Sequence, residues 1–227
     1  MHIDLWTDVT CPWCHLGIRH LRRALAEFEH SDEVEVALHA YLLDPELERP
    51  LEVPRRVHLI ENLGMSVEDA LAADARLEEL GRAEGLVFDF DRAIVAPTSS
   101  AHRAIAAAAD FDAENDTTNG PDTTALKLAE ALGRAHFEMA LDVSDPDVLV
   151  GCGQDIGLPA ERVVGALASA EYAARVFSDF QIGVRMGIDL VPTYLFDRRF
   201  VVQDHQTVTA LKNILATAYE NSGKESR

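Results

Sequence analysis

Apolar residues alternate along residues 2–9, with Ile3, Leu5, Thr7 and Val9 on one face. That two-residue period predicts a strand. From Pro12 to about Glu29 the period becomes helical. Leu21, Leu25 and Phe28 form an apolar stripe there, and Arg19, Arg22, Arg23 and Glu27 lie away from it. Alternation returns at Val34, Val36, Leu38, Ala40 and Leu42, and Asp44-Pro45 ends it. A strand–helix–strand unit of this length predicts a parallel crossover.

The next stretch changes character. Residues 54–64, 66–84, 98–110, 122–142, 145–156, 159–168 and 170–187 all carry helical periodicity. Gly64-Met65-Ser66, Gly85, Pro97-Thr98, Asp145-Pro146 and Gly157-Leu158-Pro159 punctuate them, and Ser66, Thr98, Ser99 and Asp145 suit helix starts. The polar run from Asp112 to Pro121 is expected to be a mobile surface loop. Strand character resumes at Val191–Phe196, turns at Asp197-Arg198-Arg199, and returns through Phe200–Gln203, which predicts an antiparallel hairpin. A last helix is expected from about Gln206 to Tyr219, with Val208, Leu211, Leu215 and Ala218 inward and a frayed tail over 221–227. The outline is βαβ, a helical block, then ββα. It divides into a domain of residues 1–44 plus about 188–220, and an inserted all-α domain of about 45–187.

The chain has 227 residues, 48% hydrophobic and 26% charged, which suits a globular protein with a substantial core. Its formal net charge of −19 argues against nucleic acid or an anionic membrane as partner. Residues 1–8 lack the basic-then-apolar pattern of a signal peptide, and no apolar run is long enough to span a bilayer. A cytoplasmic protein is the expectation. Its three cysteines, Cys11, Cys14 and Cys152, are too few for a disulfide scaffold. Cys152, among Val148, Leu149, Val150 and Ile156, reads as a small buried hydrophobe.

Cys11-Pro12-Trp13-Cys14 carries the chemistry. A disulfide exchanger needs an exposed, partly ionised thiol to attack and a second thiol to expel the bound group. At a helix start, unsatisfied backbone N–H groups favour a thiolate, though by only about 0.3–1 kcal/mol. Cys11 would lie at the exposed end and Cys14 one turn in, with Pro12 in the first turn, where its missing N–H costs little. His15 follows directly and reads as a packing or surface histidine more than as a group tuning Cys11, and Asp8 as a strand-end cap, a solvent-facing residue or a proton shuttle. A zinc site would normally pair one CxxC with a second ligand pair, which this sequence lacks, so no metal is expected. Pro192 opens an apolar β run, where proline is tolerated at a first position or an edge. It can carry a cis peptide beside the thiols and leave the Val191 backbone as a short edge for an extended substrate.

This order of elements resembles the DsbA-like branch of the thioredoxin superfamily, and most of all its FrnE-type cytosolic proteins. The resemblance rests on Asp8-Val9-Thr10-Cys11-Pro12-Trp13-Cys14 with Leu16-Gly17, on Pro97–Arg103, and on Val191-Pro192-Thr193. It implies a thioredoxin-like α/β fold, Cys11 as nucleophile, Cys14 as resolving thiol and Pro192 as a cis-proline facing them. The chain departs from relatives at Leu190 and at Asp204-His205-Gln206. Trp13 stands where strongly oxidising DsbA proteins carry histidine, which argues against an extreme oxidant. The expected activity is thiol–disulfide exchange that reduces or reshuffles bonds, or a mycoredoxin-like removal of glutathione- or mycothiol-type thiols from proteins. The substrate would be a protein or small-thiol mixed disulfide, and a thiol or redoxin would donate electrons. No cofactor is expected beyond the redox-active Cys11–Cys14 pair and a low-molecular-weight thiol as co-substrate. Two alternatives stand beside this. One is a glutathione-dependent isomerase or transferase of the kappa or 2-hydroxychromene-2-carboxylate isomerase type, with His102 and Arg103 as candidate contacts. The other is a non-catalytic metal-binding or interaction module.

Overall fold

Strand β1 (His2–Thr7) lies inside a four-stranded sheet in the computed structural model, which describes residues 1–222. Residues 223–227 of the predicted frayed tail lie outside the described residues. β1 pairs in parallel with β2 (Glu35–Ala40) and antiparallel with β5 (Thr193–Phe196), and β5 pairs antiparallel with β6 (Phe200–Gln203), in the order β2-β1-β5-β6. Helix α1 (Pro12–Ala26) makes the crossover, so the βαβ unit and the terminal hairpin stand as read from the sequence. β1 is buried on both faces, because Asp4, Trp6 and Thr7 are covered as well as Ile3 and Leu5. It ends at Thr7 rather than residue 9, since Asp8 accepts a hydrogen bond from the Thr10 N–H and turns the chain.

Between β2 and β5 run α2 (Arg55–Leu63), α3 (Val67–Ala83), α4 (Ser99–Glu114), α5 (Thr124–Phe137), α6 (Pro146–Asp155), α7 (Ala160–Ala168) and α8 (Ala170–Arg185). Helix α9 (Val208–Ser222) closes the fold. The block is not all helical. Leu51–Pro54 (β3) and Ile94–Val95 (β4) form a separate antiparallel pair. Neither is long enough to show alternation, and Pro54 hides β3 further. Caps set several helix starts: Ser66 accepts from the Asp69 N–H, and Asp145 from the Asp147 N–H. The expected loop over 112–121 begins later, because α4 runs to Glu114. It is also tied down: Gly120 N–H donates to the Val34 carbonyl, and Asp112 accepts from the Thr124 and Ala125 N–H groups.

One core cluster joins Ile3 and Leu5 of β1, Leu21 and Leu25 of α1, Leu126 and Leu132 of α5, and Leu211 and Leu215 of α9. Each such buried side chain contributes about 1.5–3 kcal/mol of transfer free energy. The core therefore draws on both expected sequence segments. A smaller cluster of Leu16, Leu77, Leu86, Phe88, Phe90 and Phe137 packs α1 against α3 and α5, with Trp13 at its border. The polar face of α1 is also used. Arg19 and Arg22 both reach Glu130 of α5, and Arg23 reaches Glu84.

Candidate functional site

Cys11 occupies the N-cap of α1, and its Sγ accepts the Cys14 backbone N–H at 3.3 Å. Pro12 follows at the first helical position, and no acidic side chain sits in the first turn to compete with the sulfur. Cys14 lies one turn in and is wholly buried. Burial, then the neighbouring Cys11, pushes its thiol well above the ordinary range. Across from the helix start the Val191–Pro192 peptide is cis, and the Cys11 thiol donates to the Val191 carbonyl at 3.7 Å. The fold thus brings together Cys11, Cys14, Pro12, Trp13, Val191 and Pro192, although 180 positions separate Cys11 from Val191.

Exposure differs from the sequence reading. Cys11 is 5% exposed and Val191 8%, so neither presents itself to bulk solvent. Cys11 instead faces a cavity of about 520 Å³ that Cys14 does not line. Leu43, Leu47, Leu59, Met65, Leu77 and Ile94 give this cavity apolar walls, while Asp8, Thr10, Arg55 and Thr98 add polar groups. The Trp13 ring centroid lies 5.7 Å from the Arg76 guanidinium and 5.0 Å from the His205 ring centroid. Gly17 lets α1 approach the proline loop: a Cβ there would meet Tyr194 Oη at 2.8 Å and Pro192 Cγ at 2.9 Å.

Asp8 caps the end of β1. Its Oδ1 accepts from the Thr10 N–H at 2.9 Å and the Thr10 hydroxyl at 3.0 Å. Its Oδ2 accepts from the Leu43 N–H at 2.9 Å and the Thr98 hydroxyl at 3.1 Å. One buried carboxylate therefore ties the turn before Cys11, the segment after β2 and the start of α4 together. Thr98 spends its hydroxyl on Asp8 and leaves α4 without a side-chain cap.

The sequence reading missed Arg55, which lines the cavity from the start of α2. Its Nη1 donates to Asp74 Oδ1 at 3.0 Å, and its guanidinium lies 4.5 Å from the Phe90 ring centroid. Burial lowers its pKa from the usual range, while the charges of Asp74 and Cys11 oppose that shift. An arginine after Pro54 carries no periodic signal of where it will point. His15 packs near Phe88 and Phe137, each 5.8 Å away between centroids. Burial, helped by the Arg134 charge, lowers its pKa to about 3, so it is a neutral packing residue. His102 is buried and Arg103 donates to the Leu167 carbonyl, which ties α4 to α7. Cys152 joins the main core, and burial raises its thiol pKa. Among the described residues, no group of three or more His, Cys, Asp and Glu side chains is placed to hold a metal, and no helix is long and apolar enough to cross a membrane.

With this geometry in view, comparison with known proteins shows the family. The DSBA-like thioredoxin domain family matches residues 2–216, and the chain belongs to it. A probable DsbA oxidoreductase from Streptomyces coelicolor is similar at 29% identity and a TM-score of 0.81, over 97% of this chain and 90% of that one. The cytosolic disulfide reductase DsbM from Pseudomonas aeruginosa, solved with GSH, shares the fold at 19% identity and a TM-score of 0.64, over the full length of both chains. A 2-hydroxychromene-2-carboxylate isomerase also shares it at 11% identity and a TM-score of 0.65, over 99% of this chain and 98% of that one. No curated protein gives a significant match.

Proposed function

We propose that this member of the DSBA-like thioredoxin domain family is a FrnE-type cytoplasmic thiol–disulfide oxidoreductase that reduces or reshuffles disulfides, or removes low-molecular-weight thiols from proteins. Cys11 thiolate attacks a substrate disulfide, forming a Cys11 mixed disulfide and releasing one thiolate. Cys14, once deprotonated, attacks the Cys11 sulfur, closing the Cys11–Cys14 disulfide and releasing the second thiolate. Two electrons from an external thiol or redoxin then restore the dithiol. The observation that carries this reading is the asymmetry of the pair. The cavity reaches Cys11 alone, while Cys14 is held behind it with its backbone N–H on the Cys11 sulfur. Burial, and then the neighbouring Cys11, raises the Cys14 pKa and favours its protonated form.

The test compares parent protein, Cys11→Ser and Cys14→Ser after exposure to a disulfide substrate, with adducts read by mass spectrometry. Cys14→Ser should accumulate a mixed disulfide at Cys11, and Cys11→Ser should be inert. Turnover surviving in Cys11→Ser would overturn the mechanism. Glutathione-dependent turnover with Cys14 dispensable would favour isomerase or transferase chemistry instead.

A further inference from the structure

We propose that Arg55 binds a carboxylate on the group that Cys11 takes up in the mixed disulfide, so that the site prefers carboxylate-bearing low-molecular-weight thiols over uncharged ones. The inference rests on Cys11 being the attacking thiol. Arg55 and Cys11 line the same cavity, whose volume of about 520 Å³ falls in the range of small-molecule sites. A guanidinium has five N–H donors. Among the described residues Arg55 uses Nη1 on Asp74 Oδ1 and makes no other hydrogen bond to the protein through its side chain.

Asp74 does not exhaust the local positive charge. Its second oxygen takes Arg56 Nε and Nη2, both at 3.1 Å, so one buried carboxylate faces two guanidiniums. Asp91, which also meets Arg56, is 81% exposed and its charge is screened by water. Phe90 under the Arg55 guanidinium limits its reorientation. Arg55 is also the first residue of α2, a nine-residue helix whose N-cap, Pro54, supplies no side-chain acceptor. Free N–H groups at such a terminus favour an anion.

Several other ionisable groups on the cavity, Asp8, Asp44, His58 and His136, are paired with the protein or lack a positive charge. Asp8 is saturated by four donors, and Asp44 faces His58 at 3.6 Å. Burial, helped by the Arg55 charge, lowers the pKa of His136 to about 4, so it adds no positive charge at neutral pH.

In the proposed step Cys11 thiolate attacks R–S–S–R, forming Cys11–S–S–R and releasing RS⁻, with the carboxylate of the retained R group on Arg55. The test uses Cys14→Ser protein and three symmetric probes: glutathione disulfide, uncharged 2-hydroxyethyl disulfide and cationic cystamine. The rate ratio of glutathione disulfide to 2-hydroxyethyl disulfide should fall about 10- to 100-fold in Arg55→Gln, as expected for loss of a hydrogen bond to a charged group. Arg55→Lys should keep part of the preference, and cystamine should not slow in Arg55→Gln. The ratio cancels any change in the intrinsic reactivity of Cys11. Adduct formation with an unchanged ratio overturns the role of Arg55. If no probe reacts while Arg55 is intact, the attacking role of Cys11 itself has failed. Should Arg55→Gln not fold, S-methylglutathione should protect Cys11 from iodoacetamide better than its dimethyl ester does in Cys14→Ser protein with Arg55 intact. Equal protection would overturn the proposal.

Discussion

Gly17→Ala tests whether the close approach of α1 to the proline loop matters to both stability and chemistry. In an open helix interior, alanine is about 1 kcal/mol better than glycine. At Gly17 the added methyl would lie 2.8 Å from Tyr194 Oη and 2.9 Å from Pro192 Cγ, which is inside van der Waals contact. Tyr194 is fully buried and the proline ring is stiff, so neither neighbour gives way freely. Overpacking of this kind costs about 1–3 kcal/mol. With one contact on a ring, the upper part of that range applies, for a net loss of about 1–2 kcal/mol. Relief would move Pro192, and with it the Val191 carbonyl, which sits 3.7 Å from Cys11 Sγ. Urea unfolding should therefore show the loss in stability, and the rate of Cys11 mixed-disulfide formation should fall. Gly151→Ala in α6 is the control: nothing lies within 4 Å of its added Cβ, so it should stabilise by about 0.5–1 kcal/mol with exchange unchanged. A Gly17→Ala protein as stable as the control, with unaltered exchange, would refute the reasoning.

Gly133→Ala should be more damaging, by about 3 kcal/mol or more in thermal unfolding, because its Cβ would fall 2.1 Å from Nδ1 of the buried His15 ring. Asp8→Ala should lower stability by about 3 kcal/mol in urea, since it strips the acceptor from the Leu43 N–H, the Thr98 hydroxyl and Thr10 at once. An Asp8→Ala protein as stable as wild type would show that water replaces the carboxylate. His39 hydrogen-bonds to Asp179 and Asp4, and although its burial opposes the charge, these partners raise its pKa from 6.5 to about 9. A raised folded-state pKa stabilises fully below pH 6.5 and loses that contribution as pH rises through about 9. The difference in unfolding free energy between wild type and His39→Gln should therefore shrink by up to about 3 kcal/mol across that window. A pH-independent difference would mean that His39 is not charged in the fold.

Local signals were legible in the sequence. The Cys-Pro-Trp-Cys turn, the cap residues Ser66 and Asp145, and the helical periods of the central block each act within a few residues, where periodicity and turn chemistry speak directly. What failed were statements about which surface meets which. β1 lost its clean alternation because both its faces are covered. Arg19 and Arg22, correctly placed off the apolar stripe, turned out to face Glu130 of another helix. Thr98 suited a cap, but the Asp8 carboxylate took its hydroxyl, a choice that only the packing of α4 against the turn before Cys11 creates. β3 and β4 were too short to leave a period at all.

The same limit governs how far the Cys-Pro-Trp-Cys motif alone defines the site. Trp13 meets Arg76 of α3 and His205 from the connection between β6 and α9, so both sequence segments contact its ring. Cys11 is screened from bulk water and faces a cavity to whose walls α2, α3 and β4 contribute. The motif supplies two thiols with unequal access, and on the proposed reading the residues lining the cavity govern what approaches Cys11. Selectivity should therefore change with substitutions at Arg55 or on the apolar wall that leave both cysteines intact. By contrast, Cys14 should control resolution of whatever adduct forms, irrespective of its charge.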